Sequence, residues 1–285
     1  RLCASLMTKF WALLVMRAFM GVGQACFTVV APSLLGDLFV GDTRSRLLAV
    51  YYLMVPISIG TSMIVTGEVA KVTDSWRWSM RITVVMGVVS AVLAGLVLRE
   101  PVRGELEGLQ SEATPLKTDL KNLWENSTYV TNVLGLTTVS FFMGTLNVWI
   151  LKLLCWGMKI TYPNSDHPRE ETVLGLILCP SGCLGILGAY LLSRHFKKKY
   201  PRGDPLICSV AVLTSTPLFF IVTYLMKTDE YATYVVLFFG LFCLNMIWAV
   251  TADVCLGVVV PSRRGSAFGI MACVVHAVGD LGSPY

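Results

Sequence analysis

Charge is what this chain has least of. Of its 285 residues only 14% are charged and 55% are hydrophobic, with a mean hydropathy of +0.67. A soluble globular domain carries about 25% charged residues, and a single globular core could not bury this much apolar surface. Disorder is excluded by the same shortage of polar residues. Paired cysteine spacing is missing too: the nine cysteines are scattered singly, mostly inside apolar runs, so a disulfide scaffold is excluded. Histidine is scarce. His167, His195 and His276 fall in separate segments. Cys179 and Cys183 share a helix face but have no His or acid to complete a zinc site. No metal or cofactor is expected, and no catalytic constellation marks an enzyme.

Long apolar blocks are what the chain has in quantity. They lie at 10–39, 47–66, 78–98, 128–151, 173–192, 205–226, 231–260 and 265–285. About 20 residues of helix cross a hydrocarbon core of ~30 Å. In lipid each backbone amide must be satisfied within its own segment, which makes the blocks helices. The period-2 alternation of an outer-membrane barrel is absent. The reading is an all-α, polytopic membrane protein. Arg1 is not an initiator Met and Tyr285 ends on an apolar block, so both ends read as cut.

Lys and Arg orient the blocks. Thirteen lie in the connections after the first, third, fifth and seventh blocks, with the densest cluster at 194–202, and eight lie on the opposite side. The richer side is expected to be cytosolic. The net charge of +5 then reflects topology, and no nucleic-acid partner is expected. The polar stretch 99–127 separates three blocks from five. Thr114 and Pro115 predict a helix start. Leu116, Leu120, Leu123 and Trp124 then predict an amphipathic helix on the membrane face, with Lys117, Asp119 and Lys121 turned to water. The expected organisation is a helical half over 1–98, a cytosolic linker over 99–127 and a second helical half over 128–285. A weak repeat supports two halves: Asp37 precedes Arg46-Leu-Leu-Ala49 as Asp253 precedes Arg264-Gly-Ser-Ala267.

Proline interrupts four blocks, at Pro32, Pro56, Pro180 and Pro217, and packed membrane helices tolerate such kinks. Gly175, Gly182, Gly185, Gly188 and Ala189 would let the fifth block approach its neighbours closely. Ionisable groups inside blocks are the functional candidates, because a charge at bilayer centre costs about 2.5–3.5 kcal/mol on insertion scales. These are Arg17, with Gln24 two turns along the same face; Asp253; and the pair His276 and Asp280, four residues apart. Snorkelling or a structural ion pair is the competing account of Arg17, Arg81 and Asp253.

The stretch RAFMGVGQA (17–25) resembles the fourth-helix motif of the major facilitator superfamily. More narrowly, APSLLGDLF (31–39), WxWxxR (76–81), WAVTAD (248–253), VVPSRR (259–264) and GDLGSPY (279–285) resemble the Spinster family. The resemblance implies a major facilitator-like bundle of two pseudo-repeated halves, truncated so that the chain runs from the end of the third helix into the eleventh. It implies a secondary transporter working by alternating access on lysophospholipids or sphingoid lipids such as sphingosine-1-phosphate, in lysosomal, late endosomal or plasma membranes. The implied partners are the bilayer, an amphiphilic anionic lipid and protons as a candidate coupling ion. Under this reading Arg17, Asn147, Trp149 and Trp248 contact substrate, while Gln24, Asp253, His276 and Asp280 serve coupling or gating. Gln24 departs from the family's GxGEA pattern, whose acid is a candidate proton carrier, and Leu151 and Lys152 depart from it near Trp149. A carrier or uniporter of small organic anions and a non-transporting receptor or scaffold remain the alternatives. The orientation is directly testable: in intact cells, single cysteines in the 193–204 loop should resist an impermeant thiol reagent, and cysteines at 227–230 should react.

Overall fold

The computed structural model describes residues 2–97, 116–161, 170–197, 200 and 203–282, and is helical throughout its secondary structure. Helix α1 spans Leu2–Leu6, α2 Phe10–Leu38, α3 Gly41–Thr73 and α4 Trp76–Val97. After the linker come α5 (Leu116–Glu125), α6 (Ser127–Thr161), α7 (Glu170–Lys197) and α8 (Gly203–Leu225). Next are α9 (Glu230–Asn245), α10 (Ile247–Val258), a 3₁₀ turn (Pro261–Arg263) and α11 (Arg264–Val274), which runs into a π-helical turn (Val275–Asp280). The helix start expected at Thr114 and Pro115 lies outside the described residues.

Seven helical stretches among the described residues are long and apolar enough to span a bilayer. The chain is thus an integral, multi-pass membrane protein. α9 and α10 together make one of these spans, Glu230–Val258, broken at Met246, whose N–H turns to the carbonyls of Cys243 and Leu244. The final block departs from the sequence expectation. It gives 11 residues of α-helix and then a π-turn drawn against α6, rather than one uninterrupted span.

The most buried span is α9–α10, at the centre of the packing, whereas the spanning windows of α2 and α4 are exposed. Exposed Phe19, Val22, Phe27, Val88 and Leu96 are the apolar surface that a lipid environment favours. Turns close where polar chemistry allows. Asp229 caps α9 by accepting the N–H groups of Tyr231 and Ala232 at 2.9 and 3.3 Å. Asp74 ends α3 in the left-handed region, φ 50°.

Small residues determine how α3 crosses α7. A Cβ on Gly60 would lie 2.6 Å from Cys179 Cβ, and one on Gly182 would lie 2.3 Å from Pro56 Cβ. On the other side of α7, a Cβ on Gly185 would meet the Phe242 carbonyl of α9 at 2.5 Å. Without a hydrophobic driving force between helices in lipid, such backbone approach and its dispersion contacts hold a bundle together. Cys179 is accordingly a packing residue.

Helix α5 is amphipathic, but its polar face is not wholly in water. Asp119, expected to face solvent, is buried at 4% exposure, while Leu120 and Trp124 are exposed. The reason is an unforeseen partner: Arg263 Nε lies 3.0 Å from Asp119 Oδ1.

This packing yields a stability prediction. In the detergent-solubilised full-length protein, Gly182→Ala should cost about 1–3 kcal/mol through overpacking against Pro56 and lower the apparent unfolding temperature. Gly188→Ala, whose Cβ would meet Phe242 at an ordinary 3.5 Å, should be close to neutral.

Candidate functional site: a central cavity above a paired ionic latch

Described residues of the connections after the first, fifth and seventh apolar blocks bear polar contacts between helices. Asp42, Ser45, Tyr190, Ser193 and Arg194 border one small pocket, joining the starts and ends of α3 and α7. Beside it, Arg44 Nε of α3 donates to Asp253 Oδ1 of α10 at 3.3 Å, and Ser45 Oγ donates to Asp253 Oδ2 at 2.7 Å. Arg264 of α11 reaches the opposite way. Its Nη1 donates to the Gly36 carbonyl at 3.0 Å and to Asp37 Oδ1 of α2 at 3.3 Å. Gly36 lets Leu256 of α10 pack close, since a Cβ there would lie 2.6 Å from Leu256 Cδ2, while Arg264 Cδ would stand at an ordinary 3.5 Å.

The two pairs are reciprocal. An acid at the end of α2 binds an arginine at the start of α11, and an acid in α10 binds an arginine at the start of α3. Each pair joins helices from opposite sides of the 99–127 linker. The weak repeat seen in the sequence foreshadowed this arrangement with one residue misplaced: the arginine that pairs is Arg44, while Arg46 is exposed. Asp253 is therefore an ion-pair residue of the latch. Arg263, next to Arg264, turns instead to Asp119, so adjacent arginines tie the α10–α11 connection to α5 and to α2.

Above the latch lies a cavity of about 230 Å³ lined by α2, α3, α6, α7, α9, α10, α11 and the π-turn. Trp248 and His276, both singled out by sequence, line it together with Tyr51, Tyr52 and Asn245. Asn245 donates to the Leu241 carbonyl at 2.8 Å, one turn before the helix break. His276 sits on the π-turn with Nδ1 2.5 Å from Asp280 Oδ2, and Asp280 Oδ1 also accepts a hydrogen bond from Ser140 of α6. Gly279 makes this junction possible: a Cβ there would press on Ser140 Cβ at 2.9 Å. Two irregular helices thus face one chamber, the broken α9–α10 and the π-turn after α11, and such irregularity in a membrane helix belongs where it is covered by protein or lines a cavity.

The other sequence candidates lie elsewhere. Arg17 and Gln24 are on the exposed face of α2, and Asn147 and Trp149 are exposed on α6. None of these four lines the cavity. Lys152 Nζ stands 4.9 Å from the Trp149 ring centre, and Arg81 stacks over Trp78 at 4.6 Å. Sequence reasoning did not find Tyr51, Tyr52, Asn245 or Ser140, and it noted Asp37 only within the repeat, with Arg46 in place of Arg44. Among the described residues no cluster of three or more His, Cys, Asp or Glu could hold a metal.

A bundle of spanning helices closed at its basic end by reciprocal ion pairs, with a central chamber above, is the architecture of a major facilitator protein. The family model for the Major Facilitator Superfamily matches residues 2–284, and the chain belongs to that superfamily. It is 37% identical over 287 residues to Protein spinster of Drosophila melanogaster, covering 100% of this chain and 47% of that protein. Against Protein spinster homolog 1 of Homo sapiens it is 37% identical over 288 residues, covering 97% and 54%. The chain spans about half the length of the curated relatives it matches. Its fold matches the crystal structure of a bacterial homologue of the human lysosomal transporter Spinster, in an inward-facing, unoccupied conformation. That match has a TM-score of 0.61 at 16% identity and covers 99% of this chain and 64% of that one.

The latch predicts non-additive energetics. Arg44→Asp should cost about 3–5 kcal/mol by leaving Asp253 buried against a like charge, and Asp253→Arg should cost a similar amount. The double exchange should recover much of the loss, read as apparent unfolding temperature and protease resistance of the full-length protein.

Proposed function

We propose that this chain forms part of a secondary transporter that moves a single-chain amphiphilic lipid, a lysophospholipid or sphingoid lipid, by alternating access. The observation that carries the reading is the chamber itself: a mostly apolar cavity between the two sides of the bundle, with a few polar side chains, above a separable ionic closure. Opening toward the basic end requires both arginine–aspartate pairs to part. Because the pairs cross between opposite sides of the linker, parting them is a rocking of one group of helices against the other.

Substrate contact is assigned to the cavity residues Trp248, Tyr52 and Asn245 rather than to Arg17, Asn147 and Trp149. No Lys or Arg is among the described lining residues, which disfavours a small organic anion as the cargo. Coupling is assigned to His276 and Asp280. Gln24 is an amide and cannot titrate, whereas an imidazole hydrogen-bonded to a carboxylate has a proton to exchange. Ser140 of α6 faces this pair, and across the chamber stand Tyr51 and Tyr52 of α3 and Trp248 of α10. The lysosomal description of the human Spinster protein makes a lysosomal or late endosomal membrane the first location to examine, with the plasma membrane second.

Proteoliposomes holding the full-length protein should take up labelled lysophospholipid saturably, and uptake should depend on pH. His276→Gln should flatten that dependence while leaving the protein folded. Absence of saturable lipid uptake at every pH would overturn the lipid reading.

A further inference from the structure

The connection that presents Arg264 to the latch is gripped on both sides by the corner between α5 and α6. Ahead of Arg264, Asn126 donates to the Val258 carbonyl at 3.0 Å, while its Oδ1 accepts the Tyr129 N–H at 3.2 Å. Beside and beyond Arg264, Asp119 of α5 holds Arg263 Nε at 3.0 Å and accepts from Ser266 Oγ at 3.3 Å. Tyr129 adds a hydrogen bond to the Ala267 carbonyl at 2.7 Å. Leu123, four residues after Asp119 and so on the same face of α5, is buried with it.

The other face of α5 is turned away from the described bundle. Leu120 and Trp124, again four residues apart, are 44% and 80% exposed. Lys121 and Glu125 flank them and pair loosely at 3.9 Å, so the flank offers a protein partner no net charge. Three residues beyond Trp124, α6 begins a candidate membrane span at Ser127. The indole therefore stands at the level where hydrocarbon gives way to head groups, the layer that tryptophan prefers. The partner that fits this face is the bilayer surface, continuous with the lipid that meets α6.

We propose that α5 is a two-sided clasp on the latch. Leu120 and Trp124 seat it in the head-group layer of the adjoining leaflet, and Asp119 restrains the α10–α11 connection, so that lipid contact keeps Arg264 on Asp37. The consequence for the transport cycle rests on the rocking motion proposed above, but the presence of the clasp does not.

The test uses the full-length protein in phosphatidylcholine nanodiscs. Brominated phosphatidylcholine should quench Trp124, seen as a quenched component of the emission that Trp124→Phe removes. Trp124→Ser should speed hydrogen exchange across 258–267 and around Asp37 roughly fivefold or more, as release of a local unit implies. Trp124→Tyr, which keeps an interfacial ring, should retain most of the protection. Asp119→Asn should speed exchange of the same segments at least as much while leaving Trp124 quenched, and adding Trp124→Ser to it should change little further. Unchanged exchange at the α3–α7 crossing separates an opened clasp from unfolding. Exchange at 258–267 indifferent to Trp124→Ser, or a Trp124 that brominated lipid does not quench, would overturn the proposal, the second result meaning that protein or water meets this face. Neither readout requires transport, so loss of lipid uptake alone would count against the transport reading and not against the clasp.

Discussion

The rest of this structure depends on burying opposite charges where helices from the two sides of the linker meet. Asp253 is 6% exposed and Arg264 3% exposed, and neither is tolerable alone in such surroundings. Each is held by a partner across the junction and by further donors or acceptors: Ser45 for Asp253, and the Gly36 and Leu256 carbonyls for Arg264. Replacing such pairs by apolar residues is often neutral or stabilising, so net stability does not explain them. What they supply is register. An apolar seam would stick over a range of alignments, whereas two crossed ion pairs are satisfied in one alignment.

Around that closure the packing divides into firm and adjustable contacts. The crossing of α3 on α7 is backbone-close at Gly60 and Gly182. Within the group α6–α11, hydrogen bonds tie neighbours together: Tyr129 donates to the Ala267 carbonyl at 2.7 Å, Asn132 to Thr251 at 3.1 Å and Asn126 to Val258 at 3.0 Å. These side chains reach carbonyls of α10 and α11 near the latch, so the arginine at the start of α11 is presented by a braced element. The chamber sits where bracing lapses, between the break at Met246 and the π-turn at Val275–Asp280.

The chemical character of the chamber follows from which charges the latch has already consumed. Residues that look in isolation like ligands for an anion, Arg44 and Arg264, have acids of this chain as partners. The described lining that remains is mostly apolar and aromatic, with Thr28, Asn245, Thr251 and His276 among its polar side chains.

Much of the architecture was legible in the residues themselves. The hydrocarbon thickness and the need to satisfy each amide turn an uncharged run of about 20 residues into a spanning helix, and α2, α3, α4, α6, α7 and α8 overlap their apolar blocks. Asp253, His276 and Asp280 drew attention because a charge in such a run is costly. Partnership was not legible. Asp37 and Arg264 are separated by 227 residues, and Asp119 reads as a solvated residue until Arg263 is placed beside it. Nor could sequence separate Trp248, which lines the chamber, from Trp149, which faces outward. The sequence by itself determined that the chain crosses a membrane as helices, because that depends on local transfer free energy summed along each block. Only the tertiary structure decided which charges neutralise one another and which rings share a cavity, because pairing depends on distances between helices that no local property encodes.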